Sequence, residues 1–577
     1  MTSSRAPERT GSPASARASA PPLAVRRWVP AALLTVPVLF LAAFFVLPVS
    51  RIVALGLAPD GQLELGVLGR VVTDPAVRRV AWFTLWQAAA STLLTLVIGL
   101  PGAYVLSRMD FPGRNALRAL VTVPFVLPTV VVGSAFLALL GPRSPVNGLL
   151  VALFGDGAPT LDLRRTVTAI LVAHVFFNYA VVVRTVGGLW AHLDPRIEDA
   201  ARVLGASRWR VFREITLPLL RPAIASTATI VFLFTFTSFG VVLILGGATR
   251  ATIEVEIHRA TTQLLDLPLA SALALLQLAA VVAALAVYGR LQRTAATHRL
   301  VGATVGVRRP RTRGERAFLG ANLAVIAGLL VAPLLVLVER SFVTPTGYGL
   351  ANWRTLVGTQ PDTLLAVAPW EAVRNSIGFG IAATVVALLV GGLAATAATL
   401  RDDRVSGLVD RALMLPLGTS AVTIGFGFLI ALNRPPLDLR GSPLLVPLAQ
   451  ALIAVPFVVR TLVPVLRSID QRLREAAATL GARPLRVWRE VDLPIVGRAV
   501  LVAAGFSFAI AVGEFGASVF VVRAQLPTMP VAIFRLLGRP GVANFGQAMA
   551  LSTLLMLVTA SAILLIDRLR VGQVGRF

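Results

Sequence analysis

Residues able to do covalent or metal chemistry are few in this chain of 577. There is no cysteine and no lysine, so all 54 basic residues are arginine, and only four histidines are present. Disulfides, thiolate metal sites and cysteine nucleophiles are thereby excluded. A Walker-type phosphate loop would lack the lysine that reaches the terminal phosphates. His174 has no Cys, Asp or Glu at metal-ligand spacing, and no Ser/His pair or His/Asp/Glu cluster sits at catalytic spacing in the apolar runs. These absences predict a non-enzyme with no nucleotide site, metal or cofactor of its own. Two polar features stand out instead. One is Glu514, an acid inside an apolar run, with Ser238 at the matching place earlier in the chain. A carboxylate in lipid costs several kcal/mol, so Glu514 is expected to line a cavity that favours cationic cargo, or to be a protonated or helix-paired structural acid.

The second feature is a polar stretch that occurs twice, DPRIEDAARVLGASRWRVFREITLP at 194–218 and DQRLREAAATLGARPLRVWREVDLP at 470–494. In each copy a short helix can open at an Asp, Asp194 or Asp470, whose carboxylate accepts from first-turn amides. Pro195 suits the first helical position. Gly205 and Gly481 stand where a left-handed C-cap lets the chain turn. A second short helix follows, which Ile215, Leu217 and Pro218, or Val491, Leu493 and Pro494, are expected to stop. Ala200, Ala201, Ala476 and Ala477 sit among Arg and Glu, giving each unit a close-packing face and a charged face suited to a groove in a partner.

The elements around these stretches are apolar. Hydrophobic residues make up 56% of the chain and mean hydropathy is +0.79, which excludes an ordinary soluble domain. Windows of about 20 apolar residues, each able to cross a bilayer core, fall near 29–49, 81–107, 118–141, 166–189, 222–246, 268–289, 317–338, 374–399, 409–432, 444–466, 498–522 and 543–566. The fold class is therefore an all-α polytopic membrane protein of about twelve transmembrane helices. The net charge of +26 invites a nucleic-acid reading. With the N-terminus inside, however, most arginines fall in cytoplasmic segments, so the charge expresses the positive-inside bias. Arg26 and Arg27 before the first run raise an export signal, but no small-x-small cleavage site follows at Leu47-Pro48-Val49.

An offset of 276 residues carries Gly205 to Gly481, Phe239-Gly240 to Phe515-Gly516 and Thr252 to Thr528, while Pro124 maps to Pro416 at an offset of 292. Two parallel six-helix repeats follow, related by an axis along the membrane normal, with extra residues in the first at 142–165. The expected divisions are a disordered cytoplasmic tail at 1–28, a first transmembrane domain at 29–289, a basic cytoplasmic linker at 290–316, a second transmembrane domain at 317–566 and a cytoplasmic tail at 567–577. The linker carries eight Arg and one Glu, Glu315.

The repeated loop resembles the cytoplasmic signature loop of the membrane subunits of binding-protein-dependent ABC importers. The second copy fits as Glu475, Ala476, Ala477, Gly481, Val491, Leu493 and Pro494. The first fits as Asp199, Ala200, Ala201, Gly205, Ile215, Leu217 and Pro218, with Asp199 where the family has Glu. The resemblance implies a type I importer transmembrane fold in the inner (plasma) membrane with both termini cytoplasmic. It also implies two copies of a separate ATPase, carrying ATP-Mg and seated on the loops, an extracytoplasmic solute-binding protein opposite, and one copy of this chain per transporter. A fused chain of this length looks like the iron(III) and thiamine permeases. LVAHVFFN at 171–178 and the stretch 235–258 resemble the thiamine branch, and Gly513-Glu514-Phe515-Gly516 resembles the iron(III), sulfate and molybdate branches. The cargo stays open among these and the polyamines.

An alternative of another class is a secondary transporter driven by an ion gradient, for which membrane-embedded carboxylates are required. His174, Asn178, Gln87, Gln277, Gln450 and Gln547 are expected to bond neighbouring helices. Pro124, Pro128 and Pro416 should bend the third span of each half. The loops 247–267 and 523–542, with Glu254, Glu256, Arg535 and Arg539, read as polar external faces.

Overall fold

The computed structural model describes residues 23–58, 73–247, 249–295, 307–358, 367–400, 412–416, 418–433, 435 and 437–571, with Gln62, Gly66 and Gly69. The expected segments 1–22, 296–306, 409–411 and 572–577 lie outside them. Among the described residues, regular structure is helical apart from a two-residue hairpin, Val343–Thr344 against Gly347–Tyr348, and one isolated bridge between Met109 and Arg308. A buried backbone amide in lipid has no water to bond, and the helix satisfies it within one segment.

The first half runs α1 (Ala32–Leu57), α2 (Pro75–Arg108), α3 (Arg114–Val126), α4 (Thr129–Leu140), α5 (Pro145–Phe154), α6 (Val167–His192), α7 (Pro195–Val203), α8 (Arg208–Phe236), α9 (Gly240–Leu245), α10 (Ile253–Arg259) and α11 (Leu267–Ala295). The second runs α12 (Arg313–Ser341), α13 (Pro369–Leu400), α14 (Ala421–Ala431), α15 (Leu445–Ser468), α16 (Gln471–Thr479), α17 (Trp488–Gly513), α18 (Ser518–Val521), α19 (Met529–Leu537) and α20 (Val542–Val571). The additional residues of the first half include α5.

Small residues let the central helices approach. A Cβ on Gly99 would lie 2.9 Å from Val182, which packs α2 on α6, and one on Gly391 would lie 2.8 Å from Val458, which packs α13 on α15. These two contacts involve positions that the two offsets equate. The first helix of each half crosses to the other. α1 packs on α13 and α14, with Phe44 and Phe428 ring centroids 6.0 Å apart, and α12 packs on α4 as well as on α20. Ser552 donates to Ser134 at 3.2 Å across the halves.

Eleven stretches among the described residues are long and apolar enough to cross a membrane, against the twelve expected. The difference lies in the third stretch of the second half, where α14 has only 11 residues, about 16 Å of helix. Its partner stretch 118–141 does not merely bend. It breaks at Leu127, whose ψ of 139° is extended, because Pro128 disfavours a helical residue before it. The stretches expected as spans at 222–246 and 498–522 also break, after Phe236 and after Gly513, so Glu514 lies in a break and not within a span. The loops expected as polar external faces hold α10 and α19, which fold back into the core: Glu254 is fully buried, as are Ile257 and Ile533.

Gly425 on α14 faces the backbone of Ala517, where a Cβ would come within 2.6 Å of the Cα and 2.8 Å of the carbonyl oxygen. Backbone cannot rotate away. Gly425→Ala should lower the unfolding free energy of the detergent-solubilised protein by about 1–3 kcal/mol. Gly188→Ala, with nothing within 4 Å of the added carbon, should leave the thermal transition where it is.

Candidate functional site

The two polar loops fold into the same object. Asp194 Oδ1 accepts from the Arg196 amide at 2.9 Å and Asp470 Oδ1 from the Arg472 amide at 2.9 Å, opening α7 and α16. Each helix closes at its glycine, with φ of +88° at Gly205 and +81° at Gly481. The next amide reaches back to the helix, Ala206 N to Ala201 O and Ala482 N to Ala477 O, both at 3.0 Å. The second short helix of each loop does not stop at Leu-Pro. It runs on through a π turn, where Leu217 N donates to Phe212 O and Leu493 N to Trp488 O. Pro218 and Pro494 have no N–H to give, and the widened turn accommodates that loss without ending the helix. Ile215 and Val491 lie inside those turns.

A tie between the two arms of each loop has no precedent in the motif. Thr216 Oγ1 donates to Glu198 Oε1 at 2.7 Å in the first loop, and Arg474 Nε donates to Asp492 Oδ1 at 2.8 Å in the second. The 276 offset carries Glu198 to Arg474 and Thr216 to Asp492, so a search for polar pairs recurring at that offset would have found them. Asp199 is exposed and pairs with Arg202 at 2.8 Å. Glu475, Ala200 and Ala476 are exposed, while Ala201 and Ala477 are half-buried. At the tips Val203 and Leu204 are each 88% exposed and Leu480 is 89% exposed. Both loops thus bare apolar side chains at the end of an otherwise polar segment.

The second element of the site is where the halves meet. Residues equated by the 276 offset touch each other there. Phe239 stacks on Phe515 with centroids 5.4 Å apart, and His258 meets Phe534 at 6.3 Å. Phe520 packs on His258 at 5.4 Å and Phe534 on Phe515 at 5.4 Å, closing a layer of five rings. The helices that carry His258 and Phe534 begin on borrowed hydroxyls. Ile253 N donates to Thr84 Oγ1 at 3.0 Å, and Met529 N donates to Ser376 Oγ at 2.7 Å. Thr84 and Ser376 are also equivalent, under the 292 offset.

Glu514 does not point into open space. Its Oε1 accepts from Ala517 N at 2.6 Å, and its Oε2 accepts from Ser518 N at 2.9 Å and from Ser518 Oγ at 2.6 Å. Ser238 bonds His174 Nε2 at 2.8 Å, and Ser91 bonds Nδ1 of the same ring at 2.9 Å. His174 and Gln87, which donates to Thr235 O at 2.9 Å, therefore tie helices together, while Asn178 bonds within its own helix. Glu254 bridges the halves, accepting from Gln277 at 3.0 Å and from Ser420 Oγ, the N-cap of α14, at 2.6 Å.

At the end of α6 remote from the loops lies a cavity of about 1160 Å³ with Phe534 among its lining residues. Arg143, Arg164 and Arg165 of the first half line it, as do Arg340 and Arg539 of the second. Arg164 holds the Asp162 carboxyl below its usual range through a 2.7 Å ion pair. Among the described residues no group of three or more His, Asp or Glu could hold a metal ion.

Residues 91–297 match the family described as the binding-protein-dependent transport system inner membrane component. The chain is 30% identical over 507 residues to the thiamine transport system permease protein ThiP of Brucella abortus (strain 2308), covering 86% of this chain and 88% of that protein. ThiP of Escherichia coli (strain K12) is 27% identical over 468 residues, covering 81% and 84% respectively. The sulfate transport system permease protein CysT of the same organism is 35% identical over 246 residues, covering 42% of this chain and 84% of that one. Many apolar helices and two matched loops, read with these relatives, define the multi-pass inner-membrane permease subunit of an ABC importer for a small solute. The chain belongs to the family of binding-protein-dependent transport system inner membrane components. Permeases of this family are generally not catalytic.

Gln at 514 would turn an amide donor toward the Ser518 N–H, leaving buried groups unpaired. Glu514→Gln should therefore cost about 1–3 kcal/mol of stability, read by thermal unfolding, with the relative uptake of cationic and neutral solutes unchanged. A shift in that preference at unaltered stability would return Glu514 to a cargo-lining role.

Proposed function

We propose that this chain forms the whole translocation path of a thiamine importer as a fused pseudo-dimer. One copy of a separate ATPase would seat on each of the loops 194–218 and 470–494, with ATP-Mg held there and both termini in the cytoplasm. The observation that carries the docking is the apolar tip of each loop, Leu204 and Leu480, held out by a left-handed glycine on an otherwise polar surface. Closure of the ATPases on ATP would draw the loops together, and the rigid tie within each loop would pass that motion into α8 and α17. The ring layer around Phe239 and Phe515 lies at the far ends of those two helices and acts as the gate. An extracytoplasmic binding protein would deliver cargo to the arginine-lined cavity beyond it.

Thiamine is favoured over iron(III) because the ThiP relatives align along most of both chains. An ion-driven carrier would need membrane carboxylates free to exchange protons or ions, whereas Glu254 and Glu514 both have their oxygens engaged by donors.

Proteoliposomes holding this chain alone should take up no thiamine, and uptake should appear when the ATPase, the binding protein and ATP are supplied. Ion-driven uptake by the chain alone would overturn the assignment. The double change Leu204→Asp with Leu480→Asp should weaken ATPase co-purification at least about tenfold, equivalent to about 1.4 kcal/mol. Proline cannot adopt a positive φ, so Gly481→Pro should leave membrane insertion intact while ATP hydrolysis proceeds without transport. Full transport in that variant would remove the coupling role.

A further inference from the structure

The first coupling loop is fastened to the second half of the chain. The segment that follows the undescribed part of the linker is laid along the loop end of α2. Arg308 N donates to Arg108 O at 3.1 Å, and Asp110 N donates to Arg308 O at 2.9 Å. The Arg309 side chain pairs with Asp110 at 3.4 Å. Glu315 then locks the start of α12. It closes a capping box with Thr312, accepts from Arg311 N at 2.9 Å, and pairs with Arg308 at 3.0 Å and with Arg208 of the coupling loop at 3.8 Å. A file of rings runs alongside: Phe318 of α12 to Tyr104 of α2 at 6.1 Å, Tyr104 to Trp190 at 5.2 Å, Trp190 to Phe212 at 6.4 Å, and Phe212 to Trp209 at 5.7 Å. Arg108 adds a 2.8 Å bond to Leu193 O at the entrance of the loop. At the positions the 276 offset equates, the second half carries Leu466 for Trp190, Pro484 for Arg208 and Leu485 for Trp209.

We propose that residues 307–315 form a clasp that stays closed through the transport cycle and makes α12 move with the first coupling loop, Glu315 and Arg308 being its positioning residues. The stroke of the first loop thereby reaches both halves directly, through α8 in its own half and through α12 in the other. The fused linker serves as a mechanical part and not simply as a tether. This proposal rests on the coupling role of 194–218.

The absence of native cysteine allows a clean test in the full transporter with its ATPase. Glu315→Gln should lower the number of solutes moved per ATP about fivefold, about 1 kcal/mol of coupling, with ATPase assembly and basal hydrolysis kept. Met109→Cys with Arg308→Cys, the pair bridged in the structure, removes the Arg308–Glu315 pair, so it should couple better oxidised than reduced, and oxidation should likewise restore coupling when Glu315→Gln is added. Loss of transport on oxidation would show that the clasp must open, and unchanged coupling in Glu315→Gln would show that it carries no stroke. Either result overturns the proposal. The coupling role of 194–218 fails separately, if Gly205→Pro, at the turn of that loop, transports normally.

Discussion

Backbone that leaves a helix inside a membrane must find its hydrogen bonds within the protein, and this fold is arranged around four such places. α8 and α17 both break before reaching the far face, and α10 and α19 start again inside the core. The amides that open the new helices are met by side chains from another helix: Thr84 of α2 serves Ile253, and Ser376 of α13 serves Met529. The break after α17 is further closed by the Glu514 carboxylate, and the carbonyl of Ser238 in the break after α8 receives Thr252 Oγ1 at 3.1 Å. Net gains of about 1 kcal/mol per bond understate their importance, since leaving the same groups bare in hydrocarbon costs several times as much.

These repairs fix the ring layer between the halves. Because each broken end is pinned to α2 or α13, Phe239 and Phe515 are held to one stacking geometry across the halves and do not drift with a flexible loop. Movement of α8 or α17 from below must therefore either keep the rings together or part them as a unit. Packed interfaces of this kind change between discrete arrangements more readily than by gradual deformation.

Much of this was legible in the chain. The loops were readable to the capping atom, because Asp, Pro and Gly have conformational demands that hold whatever surrounds them: Asp194, Asp470, Gly205 and Gly481 do what their chemistry requires. The breaks were not readable. Phe239, Glu514 and their neighbours sit in runs whose hydropathy is that of a continuous span, and only tertiary partners on α2 and α13 make a stop affordable there. Glu254 misled for a related reason. A charged residue in a loop-length segment reads as exposed, yet Gln277 and Ser420, distant in sequence, supply the donors that let it be buried. Leu217-Pro218 misled differently, since a π turn absorbs the missing proline bond, a device that sequence spacing does not announce.

The crossing of the first helices carries a consequence for how the protein is made. α1 leaves the ribosome early, but its packing surfaces on α13 and α14 are synthesised more than three hundred residues later. In the interval its partner is α11 of its own half, which it meets where Gly56 faces Ser271 and Leu275, and its mean hydropathy of 2.5, matched among the described helices only by α12, suits the rest of it to wait in lipid. Biogenesis then ends with a recruitment step in which a helix inserted long before is gathered into a bundle completed after it, so an interrupted chain would leave that helix stranded at the rim.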